Sequence, residues 1–429
     1  MARPELGTVT NLKDSSKVRW LFIMPTLFIA TLIAQIDKSS ISIVMANHTF
    51  LKDMGLVNHP AIVGGLVSAF LISYGAGQLL WGPIIDRIGP RRAAMLGVTL
   101  WAITLIWGGF SYSALMLYLS RIFLGLSEGV LYPVCNAYVV RWFAIHERGR
   151  AQSIWFNGAT VGSAVGGALV TSIIISLGWR PAFFILAILG LVVVLPMLLF
   201  LTKDDPTQHS RVSKHELKII EQDSTLLVTP SDKGSTILVN YKYWLLVISL
   251  VANNIFFWGW SSWLPTYLMN TRHFSFKSAG GMTALTFALE VVVVLLLGYL
   301  TDRIRRRAPL GALGFLIAAL GVYIGGSILN VPLAMGIMII GVSCQQACAG
   351  NVQALLHSFS GKQFMGRAAG IMNGVGNIMS FLAPTIVGLM IGLNSSSFSS
   401  VMLFLSIDLL VASIALALLI KSKYWILEE

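Results

Sequence analysis

The sequence predicts an all-α membrane protein in which twelve transmembrane helices form two pseudo-symmetric six-helix bundles. Three observations support this: the composition, the number of long apolar runs and an internal repeat. Hydrophobic residues make up 56% of the 429 residues and charged residues only 11%, whereas soluble domains have about 45–50% and about 25%. The chain therefore lacks the charges that an aqueous surface needs, and the lipid bilayer is its predicted surroundings.

A helix crosses the roughly 30 Å hydrocarbon core of a bilayer with about 20 apolar residues. Twelve runs of the sequence are long and apolar enough, and we number them spans 1 to 12. They are predicted at 20–46, 61–84, 93–113, 115–140, 152–176, 181–202, 243–269, 279–301, 309–329, 331–356, 366–391 and 397–420.

The net charge of +12 is explained by topology, without nucleic acid as a partner. Of the Lys and Arg residues, 24 lie on the side of the two termini and only Lys52, Arg180, Arg272 and Lys277 lie on the opposite side. Because cytoplasmic loops carry the excess of Lys and Arg, both termini are predicted in the cytoplasm. We expect a monomeric multi-pass protein of the cell membrane, the inner or plasma membrane.

The longest polar interval, 203–242, separates six spans from six. It predicts an N-terminal bundle over 1–202, a cytoplasmic linker over 203–242 and a C-terminal bundle over 243–429. Within the linker, Ser213 is followed three residues later by Glu216 and then by apolar residues. This pattern is typical of a capping box that opens a short amphipathic helix.

An internal repeat relates the two halves. The segment GPIIDRIGPRR (82–92), after span 2, recurs as GYLTDRIRRR (298–307) after span 8, with Gly, Asp and Arg each displaced by 216 residues. A second pair, GRAQSIWFNG (149–158) and GRAAGIMNG (366–374), opens spans 5 and 11. Duplicated halves are typical of membrane transporters.

Two pairs of ionisable residues lie inside spans of the first half: Asp37 with Lys38 in span 1, and Arg121 with Glu128 in span 4. Each charge costs roughly 2.5–3.5 kcal/mol at mid-bilayer, so a functional role is expected. Seven residues are almost two helical turns, which places Arg121 and Glu128 on one face, about 10 Å apart along the axis. Protonation of both acids would leave two free cations, which predicts a cavity that binds an anion together with a proton.

The chemistry of an enzyme is not apparent in the sequence. Cys135, Cys344 and Cys348 all fall within spans, so neither a disulfide framework nor a metal site is predicted. We find no nucleophile motif and no phosphate-binding loop. We therefore predict no enzymatic activity and no cofactor, with the proton gradient as the energy source.

The repeated motif, the layout of six plus six spans and the long central loop resemble the major facilitator superfamily. Within it, the chain closely resembles the anion:cation symporter branch, which includes bacterial hexonate and hexuronate permeases and sialin-like carriers. The matching features are Asp37-Lys38, SAFLISYGAGQLLWG in span 2, Arg121 followed by Glu128, HERGRA before span 5 and WLPTYL in span 7.

The resemblance implies roles for individual residues. Lys38 and Arg121 would hold the substrate carboxylate, and Asp37 and Glu128 would be the proton-linked acids. Further substrate contacts would come from Tyr74, Gln35, Asn157, Gln353 and Asn373. The family usually has Arg where this chain has Lys38. The planar guanidinium of Arg can form two parallel hydrogen bonds to a carboxylate, whereas the ammonium group of Lys acts as a point charge.

Structural alternatives remain open for several of these residues. Arg121 and Glu128 could form a buried pair that only fixes helix packing. Gln35, Gln353 and Asn373 could instead form hydrogen bonds between helices.

The resemblance also implies a gate at the cytoplasmic ends of the spans. Its members would be Asp86, Arg87 and Arg148 in the first half and Asp302 and Arg303 in the second, which would pair to close the cytoplasmic side. The alternative is that these charges only anchor the helices at the membrane surface.

Glu290 is not explained by the resemblance. It lies eight residues before Gly298, as Tyr74 lies eight before Gly82, so the repeat predicts that Glu290 faces the central cavity if Tyr74 does. It would be a further proton site or a partner for a substrate amine or hydroxyl, or else a protonated, packed group. For Asp408 in span 12 we expect a structural role.

These features predict a proton-coupled symporter that imports a small organic anion, a sugar acid of the hexonate or hexuronate type, by rocker-switch alternating access. Two alternatives are a proton-coupled drug or metabolite antiporter and a receptor of the same fold that binds its ligand without transport. Tolerance of Arg121 loss would favour the antiporter, and binding without accumulation would favour the receptor.

Overall fold

The fold is described from a computed structural model, which covers residues 17–222, 240–304, 306–359, 365–393 and 398–420. Twelve helices in this part of the chain are long and apolar enough to cross a membrane, which confirms the predicted spans. They are Arg19–Ala46, Pro60–Ile88, Pro90–Gly109, Ala114–Trp142, Glu147–Leu177, Trp179–Leu201, Tyr241–Asn270, Phe276–Leu297, Arg307–Ser327, Val331–Val352, Ile371–Leu393 and Ser399–Ala417.

Spans 2 and 8 show the internal repeat at the level of the helix. Span 2 is one helix over Pro60–Ile88, and the helix of span 8 runs over Phe276–Ile304. Both ends of the second helix are displaced from those of the first by the 216 residues that relate the sequence motifs. The repeat thus extends over the whole helix pair and not only over the motif at its end.

Local sequence explains where several spans begin and end. Pro60 and Pro90 occupy the first turn of spans 2 and 3, where proline removes no hydrogen bond that the helix could make. Ser113 accepts a hydrogen bond from the backbone N–H of Met116 and so caps span 4. Between spans 2 and 3 the chain reverses at Gly89, whose φ of 85° favours glycine.

Span 4 is divided into two helices, Ala114–Glu128 and Leu131–Trp142, so Glu128 lies at the break. Here the backbone of span 2 approaches very closely. A Cβ atom on Gly129 would lie 2.8 Å from the backbone nitrogen of Gln78. Glycine is therefore required, and it allows span 2 to bring Tyr74 toward Glu128.

The two six-helix halves meet in a seam on the side of the molecule away from the connector, which we call the far side. A Cβ on Gly64 of span 2 would lie 2.2 Å from the carbonyl oxygen of Pro384 in span 11. The hydroxyls of Ser68 and Thr385 join the same two spans at 2.7 Å. Spans 5 and 8 are also in contact at this level, through Thr171 and Gly280.

The first part of the connector packs against the first half. Its predicted helix is present at Lys214–Gln222, and the hydroxyl of Ser213 accepts a hydrogen bond from the N–H of Glu216. The carboxylate of Glu216 also accepts hydrogen bonds from the backbone N–H groups of Val18 and Arg19, both at 3.2 Å. The connector therefore caps the start of span 1.

Arg19, at the start of span 1, also connects the segment before span 5 with the connector. Its guanidinium pairs with Glu147 before span 5 and with Glu216 of the connector, each at 2.9 Å. Nearby, the ring of His209 packs against Phe22 and Trp142. Burial, together with the charge of Arg211, lowers the pKa of His209 below its ordinary value.

Candidate functional site

Spans 1 and 4 bring the four ionisable residues of the first half together. We call Asp37, Lys38, Arg121 and Glu128 the charge cluster. Asp37, Arg121 and Glu128 are at most 1% exposed, and the charge of Arg121 interacts with both acids. Buried charges are stable only when they are paired, so these residues depend on one another.

Asp37 faces the interior of the first half. One of its oxygens accepts a hydrogen bond of 2.9 Å from the indole N–H of Trp101 in span 3. Its other oxygen, Oδ1, is buried without a hydrogen-bond partner among the described residues. The carboxyl is thus fixed in orientation by Trp101 while one oxygen is left for a proton or another ligand.

Lys38, the next residue in span 1, lines the space between the halves. Its Nζ lies 3.5 Å from Oε1 of Glu128, and it stands over the rings of Tyr74 and Tyr132 at 4.1 and 5.1 Å. Aromatic faces attract a cation through the negative charge of the ring face. Lys38 is therefore the member of the cluster that connects the buried acids with the central cavity.

Arg121 lies deeper than Lys38. Its side chain is 1% exposed, it packs over the ring of Phe183 at 5.0 Å, and it is absent from the cavity wall. Within the described part of the chain, its Nε and Nη2 have no hydrogen-bond partner. In this conformation Arg121 contributes its charge to Asp37 and Glu128 and does not face the cavity.

A cavity lies between the halves and encloses about 470 Å³, counting the part that opens to solvent. The first half contributes Lys38 and the second contributes aromatic rings. Six hydroxyl side chains line it, from Ser39, Ser42, Ser163, Ser261, Ser262 and Thr283, together with Gln35, Phe257, Trp258 and Phe287.

The remaining predicted substrate contacts are distributed more widely. Gln35 lines the cavity and donates a hydrogen bond of 3.0 Å to Ser163, so it both joins two helices and faces the cavity. Asn157 is exposed and Asn373 half-buried, and neither is part of the cavity wall. The side chain of Gln353 lies outside the described residues.

The polar groups of the second half include a chain of neutral amides. Gln345 donates a hydrogen bond of 2.5 Å to Asn253, and Asn253 donates to Asn254. This chain of amides joins spans 7 and 10 in the buried interior. It was not predicted, because single Asn and Gln residues within apolar runs have no pattern that distinguishes helix packing from ligand binding.

Glu290 and Asp408 are the acids within the spans of the second half. Glu290 is 2% exposed, and its Oε2 has no hydrogen-bond partner in the described part of the chain. It follows Thr283 and Phe287 of the cavity wall by seven and three residues, so all three share one helix face. Neither Glu290 nor Asp408, which lies in span 12, is itself a cavity-lining residue.

The predicted gate residues form no ion pair with one another among the described residues. Asp86 and Arg87 are exposed and form no ion pair within the described residues. Arg148 donates hydrogen bonds to the carbonyl oxygens of Phe143 and Val140. Arg303 is exposed, and the side chain of Asp302 lies outside the described residues. The gate remains a prediction.

Comparison with known proteins gives a family match over most of the chain. The model described as Major Facilitator Superfamily matches residues 27–384. Among solved structures, that of a D-xylose-proton symporter is similar with a TM-score of 0.76 at 16% identity, over 92% of this chain and 97% of that one. At this identity the likeness concerns the fold alone.

Two curated relatives are similar over most of their length. A probable sulfoacetate transporter, SauU, of Cupriavidus necator is 30% identical over 404 residues, which cover 89% of each chain. A probable L-galactonate transporter of Escherichia coli K12 is 27% identical, over 86% of this chain and 82% of that one.

Proposed function

The chain belongs to the Major Facilitator Superfamily, and from that premise we propose that it imports a small organic anion, a sugar acid of the hexonate or hexuronate type, in symport with protons. The family and the relatives are transporters, so the prediction of a transporter and not an enzyme is confirmed. Similarity to carriers of organic anions supports the substrate class. The membrane would be the inner or plasma membrane, with both termini in the cytoplasm.

The observation that carries the proposal is the position of Lys38. Lys38 lines the cavity, and its ammonium group lies 3.5 Å from Glu128. While Glu128 is ionised, it competes with an incoming anion for Lys38. Protonation of Glu128 would free the cation, so proton and anion would favour each other's binding, which is the linkage that symport requires.

Asp37 would be the second proton-linked acid. It interacts with Arg121 and Lys38, so its protonation would also increase the positive charge beside the cavity. The resemblance to carriers that alternate between two open states suggests how transport follows. The contacts of the seam join the halves on the far side, and a rocking motion of the halves would separate them there and bring the opposite ends together.

Replacing the two acids tests the coupling. In proteoliposomes with an imposed proton gradient, we expect Glu128→Gln and Asp37→Asn to lose accumulation of L-galactonate. Glu128→Gln should keep exchange of labelled for unlabelled L-galactonate, because a neutral amide resembles the protonated acid. Accumulation against the gradient by both variants would contradict the proposal, and Asp408→Asn is the matched control.

A disulfide across the seam tests alternating access. Ser68 and Thr385 come from different halves and their hydroxyls are 2.7 Å apart. We expect the double variant Ser68→Cys, Thr385→Cys to lose uptake when oxidised and to regain it on reduction, while each single variant is insensitive. Undiminished uptake by the cross-linked protein would contradict a transport cycle in which this seam opens.

A further inference from the structure

The charges around the cavity are distributed unequally between its two walls. Lys38 lies on the wall of the first half, and the second half contributes Phe257, Trp258 and hydroxyl groups. Away from the helix ends, the sequence of spans 7 to 12 contains Glu290 and Asp408 and neither Lys nor Arg. An anionic group held at Lys38 thus has no cationic counterpart across the cavity.

Glu290 continues the cavity-lining face of span 8. Thr283 and Phe287 on this helix line the cavity, and Glu290 lies on the same face one turn beyond Phe287. The neighbouring residues Leu289 and Val292 are exposed on the other side of the helix, at 39% and 52%. Glu290 is not itself a cavity-lining residue, and its buried carboxyl group is directed into the protein one turn beyond the wall that Phe287 forms.

One carboxyl oxygen of Glu290 is left without a hydrogen-bond partner in the part of the chain that the structure describes. Its Oε2 is buried and has no hydrogen-bond partner among the described residues, although such groups are normally satisfied. A buried oxygen of this kind is suited to accept a hydrogen bond from a hydroxyl group of a ligand. The same position disfavours the binding of a second anionic group.

We propose that Glu290 makes the carrier selective for monoanions, so that the substrate has one acidic group at Lys38 and a neutral, hydroxylated end toward span 8. This rests on the proposed function. The carboxylate of Glu290 repels a second carboxylate at that end, and the spans of the second half offer no cation to stabilise one there. Glu290 therefore weakens the binding of a dianion relative to a monoanion.

The substrates after which the two relatives are named differ in their number of acidic groups. L-galactonate has one acidic group, whereas sulfoacetate has a carboxylate and a sulfonate. The charge distribution of this chain favours the first kind of substrate.

Two sugar acids that differ only in the charge at one end serve as probes. D-galactonate and galactarate differ only at the sixth carbon, which is a hydroxymethyl group in the first and a carboxylate in the second. Both are tested with the full chain, as competitors of labelled D-galactonate uptake in proteoliposomes and as stabilisers of the purified protein against heat.

We expect galactarate to compete at least about tenfold more weakly than D-galactonate, the scale of repulsion between charges in a partly hydrated site. Glu290→Gln should reduce this ratio, and Glu290→Lys should reduce it further or reverse it. Asp408→Asn alters an acid of the same half on span 12, a helix that contributes no residue to the cavity wall, and should leave the ratio unchanged. If Glu290→Lys does not fold, Glu290→Gln alone decides.

The two readouts separate this inference from the proposed function. A preference for D-galactonate in the stability measurement, without proton-driven accumulation, would overturn symport but support the selectivity. Equal binding of the two anions, binding of neither, or an unchanged ratio in Glu290→Gln would overturn the selectivity.

Discussion

The two halves share one architecture but differ in the chemistry of their buried polar groups. The first half concentrates two acids and two bases in the charge cluster, where each charge has an opposite one nearby. The second half has a chain of neutral amides, Asn253, Asn254 and Gln345, and two acids in different helices. Duplication preserved the helices, whereas the interiors of the halves diverged.

This difference suggests a division of roles between the halves. A cluster of paired charges can gain or lose protons and exchange one partner for a substrate anion. Neutral amides do not gain or lose protons as the acids of the charge cluster do, so their hydrogen bonds stay the same and stabilise a rigid interior. The first half would respond to protons and to the anionic group, and the second would serve as the wall that the neutral part of the substrate contacts.

The largest effect is expected at Lys38, the cation on the cavity wall. Lys38→Gln should abolish uptake, with a loss of at least about 100-fold, because removal of a charged partner costs several kcal/mol of binding. Lys38→Arg should retain part of the activity. Uptake of labelled L-galactonate and the amount of folded protein are measured together, and normal uptake by Lys38→Gln would show that the anion binds elsewhere.

Arg121 should affect folding as well as transport. Arg121→Ala leaves Asp37 and Glu128 with less positive charge in the interior, and breaking a buried pair costs about 3–5 kcal/mol. We expect a lower midpoint of thermal unfolding in detergent and loss of uptake. The double variant Arg121→Gln, Asp37→Asn removes opposite charges together and should recover much of the stability.

Uptake by this double variant decides between the two roles of the arginine. If stability and uptake both recover, Arg121 only fixes helix packing, and the cluster is not the coupling site. If stability recovers without uptake, the charges are needed for function.

The smallest effect is expected in the amides of the second half. Gln345→Leu removes the donor to the buried oxygen of Asn253, and an unsatisfied buried group costs about 1–3 kcal/mol. The variant should unfold at a lower temperature but retain proton-driven accumulation. Loss of coupling in a well-folded Gln345→Leu would show that the second half also takes part in proton coupling. That result would contradict the proposed division of roles between the halves.

Much of the fold could be predicted from the sequence because the features that define it are local. Twelve apolar runs predicted twelve spans, since a helix must satisfy its own backbone groups within lipid. The 216-residue repeat predicted matching helices, and spans 2 and 8 have matching ends. The four ionisable residues of the charge cluster stood out because charges within apolar runs are costly.

The directions of side chains were decided by tertiary packing. Although they are neighbours in sequence, Asp37 and Lys38 have different surroundings: Asp37 bonds to Trp101, and Lys38 lines the cavity. Arg121 and Lys38 were predicted to hold the same carboxylate, yet only Lys38 lies on the cavity wall. Which face of a helix meets which neighbour depends on residues far away in the sequence.

The contacts of the connector illustrate the same limit. The sequence predicted its short helix from Ser213 and Glu216, because capping depends on residues three positions apart. It gave no indication that Glu216 would bind Arg19, 197 residues away. By itself the sequence determined the helices, their number and the residues whose burial is costly. Only the tertiary structure decided which buried charges meet, because pairing depends on distances in space that no local pattern encodes.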